Sequence, residues 1–196
     1  MDKIKSVCVY CGSSSSVPEI YKQGAQRLGQ EFAENDVRLV YGGGKLGLMG
    51  IVADSVMAHN GKVTGFITQH LDEIEKGNHG ISQLYVVDSM HERKRRMFEH
   101  SDAFAILPGG FGTLDEVCEI ITWRQLRLHA KPIVFVDIEN YWSALFDTFV
   151  DHMIREKFVR PEHKDFYHIV PHIQDVLPTL EFHANGDVPN TVSRWW

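Results

Sequence analysis

Cysteine is scarce in this sequence: three residues in 196, at positions 8, 11 and 118. Three thiols cannot build a disulfide framework, and the odd count fits a reducing compartment. Long apolar runs are also absent, and none approaches the ~18–20 residues needed to cross a bilayer. The apolar stretch behind Lys3 and Lys5 is too short for the core of an export signal. A cytoplasmic location with no membrane partner is therefore expected. Positive charge is outnumbered, with 20 Lys+Arg against 26 Asp+Glu and a net charge of −6. A non-specific nucleic-acid binder needs a basic surface to neutralise phosphates, so no nucleic-acid partner is expected. A small phosphorylated ligand asks only for a few local donors and is still allowed.

Metal-binding patterns are missing as well. The 11 histidines contain no His-Glu-x-x-His pair, and His163, His168 and His172 are spaced as surface residues around a strand. Cys8 and Cys11 spell Cys-x-x-Cys, but an offset of three along a strand sends their side chains to opposite faces. No second cysteine pair completes a zinc site, and no metal is expected. Without Gly-x-x-x-x-Gly-Lys-Ser/Thr, ATP hydrolysis on a phosphate loop is unsupported.

What the chain does contain is 43% hydrophobic and 23% charged residues, the make-up of a globular protein with a full core. Short runs rich in β-branched and aromatic residues predict strands at Val7–Tyr10, Val37–Tyr41, Val63–Ile67, Leu84–Val87, Ala103–Leu107, Ile133–Val136 and Tyr167–Val170. Several are apolar nearly throughout, as in parallel strands buried on both faces. Between them, helices are predicted at Pro18–Glu34, Leu48–His59, Met90–His100, Thr113–Leu128, Tyr141–Lys157 and Ile173–His183. This alternation predicts a Rossmann-like, doubly wound, mostly parallel α/β sheet with helices on both faces. Leu71–Gly80 fits neither pattern and reads as a surface excursion. With no repeat or internal linker, residues 1–184 are expected to form one α/β domain. Residues 185–196 are expected to be a loose tail.

In open parallel sheets, ligands bind beyond the carboxyl ends of the strands, where helix N-termini present free N–H groups. Three such turns are rich in small residues: Cys11–Ser16, Gly42–Gly47 and Pro108–Thr113. The second matches Gly-x-Gly-x-x-Gly at Gly42, Gly44 and Gly47. The next strand ends Phe66-Ile67-Thr68-Gln69, however, without the acid that would hold a dinucleotide ribose. In the third turn, Gly109, Gly110 and Gly112 allow positive φ and close backbone approach, the elements of an anion-binding nest. Thr113 is expected to open the helix. Thr113 and Glu116 have the spacing of a capping box, whereas the adjoining glycines point to a phosphate cradle.

The other anomaly is Ser89-Met90-His91-Glu92-Arg93-Lys94-Arg95-Arg96-Met97. Four consecutive cations usually mark a solvated helix face. Arg93 differs because it shares a helical stripe with Met90 and Met97. An arginine on an apolar stripe must snorkel to water or meet an anion. Ser89 and Glu92 form a second capping box, which is the first reading of Glu92.

The paired segments SMHERKRRM and LPGGFGTLDE resemble the LOG ("Lonely Guy") family of cytokinin riboside 5′-monophosphate phosphoribohydrolases. VCVYCGSSSS, VYGGGKLGLMG and ITWRQLRLHAKPIVFVD extend the similarity over roughly Ser6–Val170. The resemblance implies hydrolysis of the N-glycosidic bond of an adenine-type nucleoside 5′-monophosphate, with no cofactor. Arg93 and Glu116 correspond to the family's catalytic residues and are expected on opposite sides of one sugar–purine linkage. Gly109, Gly110, Gly112 and Thr113 would hold the 5′-phosphate. Gly12, Ser13, Gly43, Gly44, Met49, Met90 and Lys94 are the further expected substrate contacts. The label "lysine decarboxylase" carried by some members is set aside, because a pyridoxal-phosphate enzyme needs a Schiff-base lysine and normally a much larger chain.

The helix carrying Ile120, Ile121, Trp123, Leu126 and Leu128 is apolar on more than one face. That fits a sandwiched core helix, whereas the resemblance implies a homodimer interface. Two other classes remain in play, a non-catalytic nucleotide-binding module and an NAD-dependent oxidoreductase, the latter disfavoured by the missing acid.

Overall fold

The computed structural model describes residues 3–184; the expected tail at 185–196 lies outside them. Seven strands form one sheet: β1 (Ser6–Tyr10), β2 (Arg38–Tyr41), β3 (Val63–Thr68), β4 (Gln83–Val87), β5 (Ala103–Ile106), β6 (Ile133–Val136) and β7 (His168–Val170). Their spatial order is β4-β3-β2-β1-β5-β6-β7, and every pairing is parallel. The chain builds outward from β1 to β4, returns to pair β5 with β1, and then builds the other way. The direction reverses between β1 and β5, which is where open parallel sheets gather ligands.

The helices are α1 (Glu19–Glu34), α2 (Gly47–Ala58), α3 (Gln69–Glu75), α4 (Met90–Glu99), α5 (Phe111–Gln125), α6 (Ser143–Arg155) and α7 (Val176–Ala184). Strand alternation divides the core between the two sheet faces. Val7, Val9, Leu39, Tyr41, Val134 and Val136 pack with α1, α2 and α7. Cys8, Tyr10, Val40, Phe104, Ile106 and Phe135 pack with α4, α5 and α6. Cys8 and Cys11 accordingly fall into different cores, as the strand period requires. Each helix buries a stripe; in α1 it is Ala25, Leu28, Gly29 and Phe32, spaced three or four apart.

Four expectations are corrected. Residues 71–80 are no mere surface excursion: α3 starts at Gln69, capped by Thr68 Oγ1, which accepts from the Leu71 N–H at 3.3 Å. Beyond it, Asn78 is buried, donating its N–H to Gly43 O at 2.8 Å and Nδ2 to Asp54 Oδ1 at 3.0 Å. Helix α5 starts two residues early, with Gly110 at its N-cap and no side-chain cap bond, so Thr113 and Glu116 form no capping box. His163 is buried with its ring stacked on Phe166 (centroids 4.8 Å), and His168 stacks on His183; only His172 is exposed as expected. Along α5, Ile120 belongs to the core, while Leu126 and Leu128, just beyond its end, are exposed.

Candidate active site

Helix α4 begins with half of the expected capping box: Ser89 Oγ accepts from Glu92 N–H at 3.2 Å, whereas Glu92 Oε2 accepts from Asp88 N–H at 3.4 Å rather than from that of Ser89. Its two buried residues are Arg93 and Met97. Arg93 is only 5% exposed and its guanidinium is held on three sides. Nε donates to Phe66 O at 3.0 Å, Nη2 to Gly42 O at 3.1 Å and Nη1 to Glu116 Oε1 at 3.2 Å. Glycine at 42 leaves room for this placement, because a Cβ there would overlap Arg93 Nη2. At the next residue the chain turns with a positive φ of 76°, which Gly43 supplies without strain.

Glu116 lies at the second turn of α5 and is 9% exposed. Arg93 and Glu116 thus meet, but side by side in an ion pair rather than across the width of a sugar–purine linkage. The reason is electrostatic: a buried charge without a partner costs several kcal/mol, so two opposite charges on one buried floor close on each other. On the β1 side of the pair, burial holds the Cys8 thiol well above its ordinary value, and the Glu116 charge adds to the effect. Burial, helped by Cys8 and Glu116, raises the Tyr10 phenol likewise. Both stay neutral, and the pair sits in a poorly screened setting where its field is strong.

Above this floor opens a cleft of about 430 Å³ at the β1–β5 reversal. Gly12, Ser13 and Ser14 wall it from the β1 turn; Gly110, Gly112 and Thr113 do so from the start of α5. No atom lies within 4 Å of where a Cβ would stand on Gly110 or Gly112. The first intrahelical bond of α5 runs from Leu114 N–H to Gly110 O, so the four preceding N–H groups have no partner within the helix and stand at its positive end. These glycines serve access rather than conformation, since neither they nor Gly109 take positive φ. Met49, Leu71 and Met90 supply an apolar wall opposite.

Four expected contacts stand elsewhere. Gly109 is wedged behind the wall, where a Cβ would overlap Thr113 Oγ1 and lie 2.9 Å from Gly12 N. Gly43 and Gly44 are set back, and Gly42 reaches the cleft in their place. Lys94 turns from the cleft to Asp115 at 3.3 Å and Glu119 at 3.1 Å. Burial opposes its charge, yet these carboxylates hold its pKa above the ordinary value. Lys94 therefore straps α4 to α5 beside the Arg93–Glu116 pair. Cys11, Ser14, Gly42 and Phe111 line the cleft from the three small-residue turns, and Leu71 and Asp115 join them from outside those turns. Leu71 carries a readable signal in the Thr68 cap ahead of apolar Leu71 and Ile74.

The arrangement offers an anion a helix N-terminus and serine hydroxyls, and offers whatever is attached to that anion a buried carboxylate–guanidinium pair. Among the described residues, no three or more His, Cys, Asp or Glu are grouped to hold a metal ion. Such a cleft at the reversal of a doubly wound sheet defines a Rossmann-like α/β protein with a carboxylate-bearing cleft beside a helix N-terminus.

Comparison with known proteins narrows the class. Residues 49–180 match the family described as "Possible lysine decarboxylase". A cytokinin riboside 5′-monophosphate phosphoribohydrolase of Arabidopsis thaliana is 38% identical over 194 residues, covering 98% of this chain and 85% of that protein. A second Arabidopsis protein of that name is 38% identical over 179 residues, covering 91% and 84%. The molybdenum cofactor carrier protein of Chlamydomonas reinhardtii has a TM-score of 0.69 at 16% identity, covering 93% of this chain and 98% of that one. That likeness concerns the fold alone. The chain belongs to the LOG family, to which both the phosphoribohydrolase name and the decarboxylase description attach. Among the described residues, no lysine lines the cleft to form a Schiff base.

Proposed function

We propose that this protein hydrolyses the N-glycosidic bond of an adenine-type nucleoside 5′-monophosphate, either a cytokinin riboside 5′-monophosphate or AMP, releasing free base and ribose 5-phosphate. The observation that carries this reading is the buried Arg93–Glu116 pair one helical turn from the N–H groups at Gly110–Thr113. With the 5′-phosphate on those groups, the ribose lies over Glu116 and the base extends towards Met49, Leu71 and Met90.

Cleavage of C1′–N9 builds positive charge on the ribose, an oxocarbenium-like state. The Glu116 carboxylate stabilises that charge and takes a proton from the water whose oxygen bonds to C1′. The electron pair of the broken bond leaves on the base, which takes up a proton from water, and Glu116 returns its proton to solvent, so that the net reaction adds one water across C1′–N9. A guanidinium has five N–H donors; Phe66 O, Gly42 O and Glu116 take three of Arg93's. Arg93 thereby fixes the position of Glu116, and its two remaining donors can meet the ligand.

In this reading residues 1–184 are one domain, cytoplasmic and homodimeric, with no nucleic-acid partner. Exposed Phe111, Leu126 and Leu128 on α5 and the turn after it support the pairing of two copies, and a monomer by light scattering would count against it. The deciding assay measures ribose 5-phosphate released from isopentenyladenosine monophosphate and, separately, from AMP. Equal amounts of base and ribose 5-phosphate from at least one are expected, and the ratio of the two kcat/KM values assigns the substrate. Binding without release would leave a non-catalytic nucleotide module.

A further inference from the structure

We infer that Tyr141 is a positioning residue for the phosphate end of the cleft: its hydroxyl orients the Gly109–Gly110 peptide so that the Gly110 N–H faces the ligand. This rests on the proposed reading of the cleft as a nucleoside 5′-monophosphate site. Tyr141 follows β6 and a single 3-10 turn, Ile138–Asn140, in which Glu139 and Asn140 both take positive φ (54° and 56°). Asn140 tolerates that region, whereas Glu139 does not favour it. The turn is held because Asp137 Oδ1 accepts from Trp142 N–H at 2.8 Å and Ser143 N–H at 3.0 Å. It delivers the Tyr141 ring into an aromatic socket, edge-on to Tyr21 (centroids 5.7 Å, 74°) and to Trp142 (5.0 Å, 89°).

From that socket, Tyr141 Oη donates to Gly109 O at 2.7 Å. In a trans peptide the C=O and the following N–H point in opposite directions. A carbonyl tethered towards Tyr141 therefore turns the Gly110 N–H to the other side. Gly110 lines the cleft there, and no neighbour stands over its Cα within 4 Å of an ideal Cβ. The tether suits this place because glycine at both 109 and 110 leaves the peptide little side-chain restraint of its own. The aromatic contacts account for the ring but not for the hydroxyl, since phenylalanine would fill the same socket.

Tyr141→Phe tests the inference, because it keeps the ring packing that folding needs and removes one hydroxyl. Calorimetric titration with ribose 5-phosphate and with adenine separates the two ends of the cleft. In the variant, ribose 5-phosphate should bind about tenfold more weakly, roughly the loss of one charge-assisted hydrogen bond. Adenine affinity should not change. KM for the nucleotide should rise by a similar factor, with kcat within about twofold of wild type. Unchanged ribose 5-phosphate binding overturns the inference, as does an equal loss for both ligands with a collapse of kcat, which marks general distortion. A wild-type protein that binds no ribose 5-phosphate overturns the nucleotide reading itself.

Discussion

Gly42→Ala probes the support of the Arg93–Glu116 pair without touching either residue. The backbone at 42 is not in the left-handed region, so alanine adds no backbone strain and the fold should persist. Its Cβ would nonetheless overlap Arg93 Nη2 and stand 3.0 Å from Cζ. The guanidinium is the flexible partner and must withdraw. In doing so it gives up its bonds to Gly42 O at 3.1 Å and Glu116 Oε1 at 3.2 Å. Hydrogen bonds to a charged group contribute about 1.5–3 kcal/mol each, and water or a shifted contact recovers part of that loss. A net loss of about 2–4 kcal/mol in the transition state corresponds to roughly 30- to 1,000-fold in kcat/KM. Steady-state release of ribose 5-phosphate gives this ratio, and a thermal melt checks that the variant is folded. A folded Gly42→Ala protein with kcat/KM within about threefold of wild type would refute the idea that carbonyl anchoring of Arg93 matters.

Two further predictions concern the surrounding structure. Lys94→Met removes the strap between α4 and α5; because Asp115 is 63% exposed, the stability loss should be about 1 kcal/mol. KM should stay within about twofold, and a large rise would return Lys94 to the substrate contacts. The second concerns the stacked rings of His168 and His183, with centroids 3.4 Å apart. Burial first, then His183, lowers the His168 pKa from 6.5 to about 4. The unfolded chain takes up this proton more readily, so the contribution to stability is complete above pH 6.5 and is lost as the pH falls from 6.5 through about 4. His183→Phe keeps a stacked ring without a second charge and should show a smaller fall in Tm across that window. Identical falls in both proteins would show that the ring pair is not the cause.

The sheet was legible because its strands are short β-branched runs buried on both faces, a pattern fixed within the strand itself. Edge strand β4 is legible as well, although most of Gln83–Val87 is exposed, since it carries the same run of apolar residues. What escaped depends on partners distant in sequence. Helix α3 has seven residues, too few for a clear period, and the ties from Asn78 that dock the segment behind it reach back to Gly43 and Asp54. The start of α5 was misplaced because Gly110 caps it without a side chain, leaving Thr113 as the nearest visible signal. Arg93 stood out as a cation on an apolar stripe and Glu116 through the family motif, but their direct contact is tertiary. Gly42 matters through the space Arg93 fills, and the ion pairs of Lys94 are hidden because its carboxylate partners lie 21 and 25 positions away.

The proposal that Glu116 carries the hydrolytic step is tested most directly by Glu116→Gln. The amide oxygen can still accept from Arg93 Nη1, so the floor of the cleft should persist and nucleotide binding should stay within about threefold of wild type. The turnover number for ribose 5-phosphate release should fall by about 10²–10⁴, the size of a lost general-base and charge-stabilising contribution. A variant that binds the nucleotide and turns it over at close to the wild-type rate would contradict the assignment.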